Sequence, residues 1–355
     1  MLELSVVVAT YNRCETLKET LACLAKQTLP ADSYEVLVVD DDSTDGTRAM
    51  VEALAPTLRF GLRYFWHRNR GPGASQNRGI REAAADLILL MPDDVQPTPT
   101  MLAAHVEFHK RHPGENVAAL GRVLQSPALP QTTFLRNWDP FKFKKLTKEM
   151  DMPYWKFWAC NISVRKSFLL KHGLFSELFG AAHEDVELGY RLVRKGLRIV
   201  YTPEPLAYHY HVETLESAVA RQYQRGLNWR FIEDAVPDPQ IHVLYKLLTR
   251  HTIKYHVQTY ARIFKTELPI GDRILPWLLT KQTIRWVVFN RFTVLALWLP
   301  FLRAAERSPV LAALVHPYMV RGAVFYHFVK GYRDSFQLAP PQAARADETG
   351  KSSAG

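Results

Sequence analysis

The first hundred residues predict an α/β fold: a Rossmann-like, mostly parallel central sheet flanked by helices. Three observations carry that prediction. Short apolar runs alternate with helical patterns, each run ends abruptly at polar or acidic residues, and the run Leu87 to Met91 is apolar throughout rather than alternating. Continuous apolar strands are buried on both faces, as parallel sheets require, and strands interleaved with helices give the doubly wound arrangement. In such sheets ligands collect at the carboxyl ends of the strands.

Leu4 to Ala9 is the first strand, and a helix is expected from about Glu15 to Gln27. A second strand covers Tyr34 to Val39, with a helix from Gly46 to Leu54. A third strand runs from Phe60 to Trp66, and a helix from Gly73 to Ala85 leads into a fourth strand, Leu87 to Met91. Pro92 cannot donate to a ladder, so this strand should stop there and deliver Asp93 and Asp94 to its end. From about Thr100 to Trp229 the pattern turns irregular, consistent with a mixed sheet built on the same core. Val236-Pro237-Asp238-Pro239 reads as a linker, most of the chain from there to Phe336 is helical, and 337–355 is small and polar enough to be a disordered tail. The expected organisation is a catalytic domain over 1–230 (a nucleotide half, 1–99, and an acceptor half, 100–230) and a helical C-terminal region over 231–336.

Composition narrows the partners. The 355-residue chain carries a formal net charge of +10, which favours nucleic acid, an anionic membrane surface or phosphorylated substrates. Cys14, Cys23 and Cys160 show no paired spacing, so neither a disulfide framework nor a zinc site is implied, and a reducing cytoplasm is the simplest setting. The N-terminus has no basic stretch or cleavage site and reads as the first strand. Trp286 to Leu302 comes nearest to a membrane span, but Asn290 and Arg291 interrupt it short of the roughly 20 residues needed. Its neighbours Lys281, Arg285, Trp298, Arg303, Arg321 and Lys330 suit a helix lying at a membrane surface; a helix packed on the catalytic domain or in a dimer reads the same way.

Each strand end carries a candidate ligand loop. After the first strand come Thr10, Tyr11, Asn12 and Arg13, where a nucleotide can lie against backbone amides. After the second come Asp40, Asp41 and Asp42, whose carboxylates can accept from an imide N–H or a ribose hydroxyl; Asp45 is placed to cap the next helix. Asn69-Arg70-Gly71-Pro72-Gly73-Ala74-Ser75-Gln76-Asn77-Arg78-Gly79-Ile80 is a glycine-rich run opening a helix, a setting suited to phosphate, with Asn77 and Arg78 as candidates. Asp93 and Asp94 are hard oxygen ligands for Mg²⁺ or Mn²⁺. Any one of these could be an ordinary loop or helix cap, but four in succession at one sheet edge make a single site.

These segments, Val-Val-Val-Ala-Thr-Tyr-Asn-Arg, Val-Val-Asp-Asp-Asp-Ser-Thr-Asp-Gly-Thr, the glycine-rich run and Leu-Met-Pro-Asp-Asp-Val, resemble the serial motifs of family 2 glycosyltransferases with the GT-A fold, over roughly residues 4 to 230. The resemblance implies inverting transfer of a sugar from a nucleoside diphosphate sugar, with a divalent metal on the diphosphate. It implies that Asp40 contacts the nucleobase and Asp94 the metal. Two positions depart from the family. Pro92 stands where an Asp-x-Asp motif has its first acid, which leaves Asp93 to face the ribose or donor sugar, and Gln76 stands where an arginine is common.

Downstream, Glu184 and Asp185 open a helix whose apolar spacing is Val186, Leu188, Leu192 and Val193. A carboxylate there can be tuned to accept a proton from an acceptor hydroxyl; it can also simply complement the helix dipole. The resemblance makes Asp185 the general base. Alternation puts His209 and His211 on one face, and the resemblance implies one late histidine on the metal or the diphosphate, with His211 slightly preferred over His209. Arg-Gly-Leu-Asn-Trp at 225–229 does not match the motif of processive synthases. Tyr154, Trp155 and Trp158 are either core or acceptor-facing.

The expected activity is therefore metal-dependent inverting transfer to a hydroxyl of a glycan, glycolipid or lipid-linked acceptor, with Mn²⁺ or Mg²⁺, peripheral at the inner face of the plasma membrane. A nucleotidyltransferase would carry a basic glycine-rich loop right after the first strand, where this chain has Ala9-Thr10-Tyr11-Asn12. A basic nucleic-acid-binding protein would concentrate its charge on a recognition element. No such element is visible here, and no nucleic-acid partner is expected.

Overall fold

The computed structural model describes residues 2–141, 143, 146–177, 182–237 and 292–337. The expected tail from 338, Asp238 and Pro239 of the linker, and the expected helical region from 240 to 291, with residues 286–291 of the apolar stretch, lie outside the described residues. By internal contacts the chain divides into two compact units, 1–129 with 140–212, and 130–139 with 213–355.

The first unit holds one mixed sheet. Its parallel half consists of β1 (Leu4–Thr10), β2 (Tyr34–Asp40), β3 (Gly61–Trp66) and β4 (Leu87–Pro92), with helices α1 (Cys14–Leu24), α2 (Thr47–Leu54) and α3 (Pro72–Glu82) between them. β1 pairs in parallel with both β2 and β4. Every residue of β2 is buried, including Glu35, whose carboxylate accepts from the Ser5 hydroxyl and the Ala84 N–H. Helix α3 approaches β1 closely: a Cβ on Gly79 would stand 2.2 Å from Val7 Cγ1. The elements predicted from periodicity are all present, with ends shifted by no more than three residues, the usual uncertainty of helix fraying.

The remainder adds β5 (Val95–Pro97), α4 (Met101–Arg111), β6 (Val117–Gln125), β7 (Met150–Met152), β8 (Ile162–Arg165), α6 (Lys166–His172), α7 (Glu184–Arg194) and β9 (Arg198–His209); α5 (Thr133–Asn137) belongs to the second unit. The order across the sheet is β3-β2-β1-β4-β8-β6-β9-β5, with β7 pairing β9. Strands β4 and β5 therefore lie four positions apart, which in a flat sheet is roughly 19 Å. Only Asp93 and Asp94 connect them, and three Cα steps span at most about 11 Å. The sheet must curl, and these two aspartates bridge its seam.

β9 runs for 12 residues although two prolines lie inside it. It continues past Pro203 and Pro205 because its register against β6 breaks there, so that Leu120 faces Tyr201 while Arg122 faces Leu206. The extra residues form a bulge, where prolines without N–H donors are tolerated.

The second unit, as described, is helical: α5, α8 (Leu215–Ala235), a π-helical stretch (Thr293–Trp298), α9 (Leu299–Ala305), α10 (Pro309–Ala313) and α11 (Pro317–Ser335). Helices α8 and α11 meet backbone to backbone, since a Cβ on Gly226 would fall 2.0 Å from the Phe328 carbonyl oxygen and one on Gly331 the same distance from that of Tyr223. No helix among the described residues is long and apolar enough to cross a membrane.

Candidate active site

The seam between β4 and β5 organises the site. β5 pairs antiparallel with β9, Val95 opposite His209, and the Tyr210 N–H donates to the Asp94 carbonyl at 2.8 Å. This register sets Asp94 between two side chains on one face of β9. Asp94 Oδ2 lies 3.6 Å from His209 Nε2 and 3.4 Å from His211 Nδ1, and the three ligand atoms all fall within 4.8 Å of one another. Asp94 is only 5 % exposed. Burial alone would raise its pKa; the two imidazoles beside it and the Arg13 guanidinium instead hold it well below the usual carboxylate range. The ring of Phe141 meets His209 edge-on at 5.1 Å, which limits how that imidazole can turn. Arg13, Thr16, Asp94, Tyr210, His211 and Val212 line the open cleft in front.

Asp93 faces inward. Its carboxylate accepts from the Thr10 hydroxyl at 2.7 Å and from Arg13 Nη1 at 3.0 Å, and its backbone carbonyl accepts from Thr20. Burial pushes its pKa up to about 6 despite the Arg13 charge. Arg13 Nη1 also donates to Asp94 Oδ2 at 2.7 Å. The arginine is aimed there by Asn12, whose left-handed backbone (φ 52°) is held by its N–H on Ser43 Oγ and by its side-chain carbonyl, which accepts from the Thr44 N–H. Thr10, Arg13, Asp93 and Asp94 thus form one connected group. Tyr11, in the same turn, is 49 % exposed.

The acids after β2 are built into their loop. Asp40 accepts from the Ser43 N–H and from the Tyr64 hydroxyl at 2.6 Å; burial and this bond push the Tyr64 phenol well above its ordinary pKa. Asp41 accepts the N–H groups of Arg70 and Gly71 and so holds the glycine-rich run in place before α3. Asp45 does not take the expected cap position, since left-handed Gly46 is the N-cap of α2; its carboxylate accepts from the Thr47 hydroxyl and from the Cys14 N–H at the start of α1. Asn77 is bonded to the backbone of Phe175 and to Glu177. Arg78 pairs with Glu82 and lies over the Phe65 ring; none of its contacts is with the Asp93–Asp94 group.

Glu184 and Asp185 open α7, as the apolar spacing predicts, behind His183 in a left-handed conformation (φ 72°). Both are partly exposed. Burial, and after it the carboxylates of Asp185 and Asp94, raise the pKa of the half-buried Cys160 thiol.

Sequence reasoning pairs Asp94 with His211 and ranks His209 second; the structure brings both. The alternation that puts them on one face is the available signal, because two residues on one face at one strand end converge on the same neighbour.

The Glycosyl transferase family 2 model matches residues 5–178. Residues 5–178 form a glycosyltransferase family 2 domain. The chain is 32% identical over 232 residues to a validoxylamine A glucosyltransferase of Streptomyces hygroscopicus subsp. jinggangensis, covering 57% of this chain and 54% of that protein. It is 26% identical to a hyaluronan synthase of Pasteurella multocida, over 66% of this chain and 27% of the synthase. The chain thus spans about half or less of the length of these curated relatives. In fold, the chain is similar to a mannosyltransferase from Pyrobaculum calidifontis solved in complex with GDP-Man and Mn²⁺, with TM-score 0.57, 17% identity, and coverage of 94% of this chain and 87% of that one. The expected mixed α/β architecture of GT-A glycosyltransferases is therefore met.

Proposed function

We propose that this protein is a metal-dependent inverting glycosyltransferase that uses a nucleoside diphosphate sugar. One observation carries the reading: Asp94, His209 and His211 converge at a strand end of a family 2 domain. The donor set fits a metal. Oδ2 to imidazole separations of 3.4 and 3.6 Å are close to the roughly 3.3 Å edge of a coordination shell with bonds of about 2.1 Å. Two imidazoles with one carboxylate favour a first-row transition ion, Mn²⁺, over Mg²⁺, which demands an oxygen shell. A divalent ion there supplies positive charge to the donor diphosphate and its leaving group.

The chain's own residues do the rest. Asp40, fixed by Tyr64 and Ser43, is the candidate for the nucleobase, with exposed Tyr11 offering a ring for it to stack on. Asp41 keeps the glycine-rich loop open to phosphate. Asp185, at the start of α7, takes the proton of the acceptor hydroxyl as that oxygen attacks the sugar from the face opposite the leaving diphosphate. Glu184 beside it supports the helix start. The GDP-Man and Mn²⁺ bound by the mannosyltransferase of similar fold support a nucleoside diphosphate sugar and a divalent ion as the ligands.

The acceptor is a hydroxyl of a glycan, glycolipid or lipid-linked precursor, reached at the inner face of the plasma membrane. Phe292, Leu297, Val310, Leu314 and Phe325 of the second unit are exposed together with Arg303, Arg307 and Arg321, a combination suited to an anionic leaflet.

A thermal-shift and transfer panel of nucleoside diphosphate sugars with Mn²⁺ and Mg²⁺ tests the reading. Stabilisation by one donor with Mn²⁺ is expected, lost in Asp94→Asn. Asp185→Asn should keep that stabilisation and lose transfer by at least roughly 10³-fold, about 4 kcal/mol of barrier. Full transfer by Asp185→Asn removes the base assignment.

A further inference from the structure

The oxygen that faces both histidines is also the one that Arg13 holds. Arg13 Nη1 is 2.7 Å from Asp94 Oδ2 and 3.0 Å from Asp93 Oδ1, while His211 Nδ1 and His209 Nε2 approach the same Oδ2 at 3.4 and 3.6 Å. A guanidinium and a divalent ion cannot share one carboxylate oxygen at hydrogen-bond range without strong like-charge repulsion. One of them has to yield.

The surroundings say which one. Arg13 is 40 % exposed and lines the open cleft, whereas both aspartate side chains are under a tenth exposed. Its departure leaves no buried carboxylate without a partner: Asp93 keeps the Thr10 hydroxyl on its other oxygen, and Asp94 exchanges one cation for another. A purely structural ion pair would be buried on both sides and would leave an unpaired charge on breaking. The planar guanidinium, once released, matches phosphate oxygens through paired N–H donors.

We propose that Arg13 is a resident counter-cation of the metal site: it neutralises Asp94 until a divalent ion arrives, then turns to the diphosphate of the donor. Metal and donor are thereby coupled, because the ion frees the arginine that helps to hold the nucleotide. The inference rests on the metal reading proposed for Asp94, His209 and His211.

The test is Mn²⁺ binding followed by electron paramagnetic resonance on the full chain, with wild type, Arg13→Gln, Arg13→Lys and His211→Ala, first with the ion alone and then with UDP or GDP added. Without nucleotide, Arg13→Gln should bind Mn²⁺ at least fivefold more tightly than wild type. At saturating Mn²⁺ it should bind the nucleoside diphosphate at least fivefold more weakly. Arg13→Lys keeps the charge but not the fork; it should hold Mn²⁺ within twofold of wild type while weakening the nucleotide at least threefold, and it serves if the glutamine variant does not fold. Mn²⁺ affinity that is unchanged or lower in Arg13→Gln, with His211-dependent binding in wild type, overturns the counter-cation role alone, as does unchanged nucleotide affinity. Mn²⁺ binding that His211→Ala leaves intact overturns the metal reading and this inference together.

Discussion

At the scale of single residues, Asp94 Oδ2 is the atom on which the site turns, since two imidazoles and a guanidinium address it from different elements. Removing either histidine leaves a two-ligand set, so His209→Ala and His211→Ala should each weaken Mn²⁺ by at least tenfold in calorimetric titration. Equal losses are expected from the symmetric spacing; a loss confined to His211 would return the metal site to two protein ligands. Much of this is legible in the sequence. Asp94 and Asp185 stand out because an acid pair at a strand or helix start is costly to place without a use. Arg13 is legible as a cleft residue but not as the partner of Asp94: that contact joins positions 81 apart and depends on the left-handed backbone of Asn12, which no periodicity reports. Arg78 illustrates the opposite limit, for a charge beside a glycine-rich run can as easily lie over Phe65.

At the scale of elements, α4 and the strand β8 enclose a polar chain that sequence patterning gives no reason to expect. The Asn161 side-chain carbonyl faces His105 Nε2 at 2.8 Å, His105 Nδ1 faces Ser163 Oγ at 2.8 Å, and Ser163 Oγ faces His109 Nε2 at 2.9 Å. Asn161 Nδ2 donates to the carbonyls of Arg122 and Pro205, so its oxygen must accept, His105 carries its proton on Nε2, and Ser163 donates to His105 and accepts from His109. Burial keeps both imidazoles neutral, lowering their pKa values to about 4 for His105 and about 3 for His109. The unfolded chain takes up these protons near pH 6.5, so it binds more protons than the folded one as the pH falls from 6.5 towards 4. Stability then drops by up to about 1.4 kcal/mol per pH unit for each histidine. Asp93, with its pKa raised to about 6, works in the opposite direction below pH 6, and two groups outweigh one. Chemical denaturation between pH 7 and 4.5 should therefore show a monotonic loss; a flat profile would mean that the histidines are not held neutral. Helix existence is readable here because apolar spacing fixes it. The length of β9 is not, because two prolines mark a break unless the partner strand slips past them.

At the scale of the molecule, the charge of +10 is readable at once, but the place where it acts is not, since exposure is a property of packing. Exposed apolar side chains beside arginines in the second unit predict adsorption to vesicles containing 30 mol% anionic lipid, reduced at least tenfold at 0.5 M salt because such attraction is screened. Sedimentation with neutral vesicles is the control, and equal binding to both would make the arginines irrelevant.

The curl of the sheet has a kinetic meaning as well. Because β5 reaches its place only by pairing with β9, more than a hundred positions further along, Asp94 and its two histidines meet through one of the longest-range pairings in the unit, and distant pairings form late. Helices and the parallel strands β1 to β4 can assemble while Asp94 still has no histidine beside it. In stopped-flow refolding, helical circular dichroism should therefore recover ahead of Mn²⁺ capture. The ion would then report that the chain has finished folding, and a partly folded molecule would have no means of spending a nucleotide sugar.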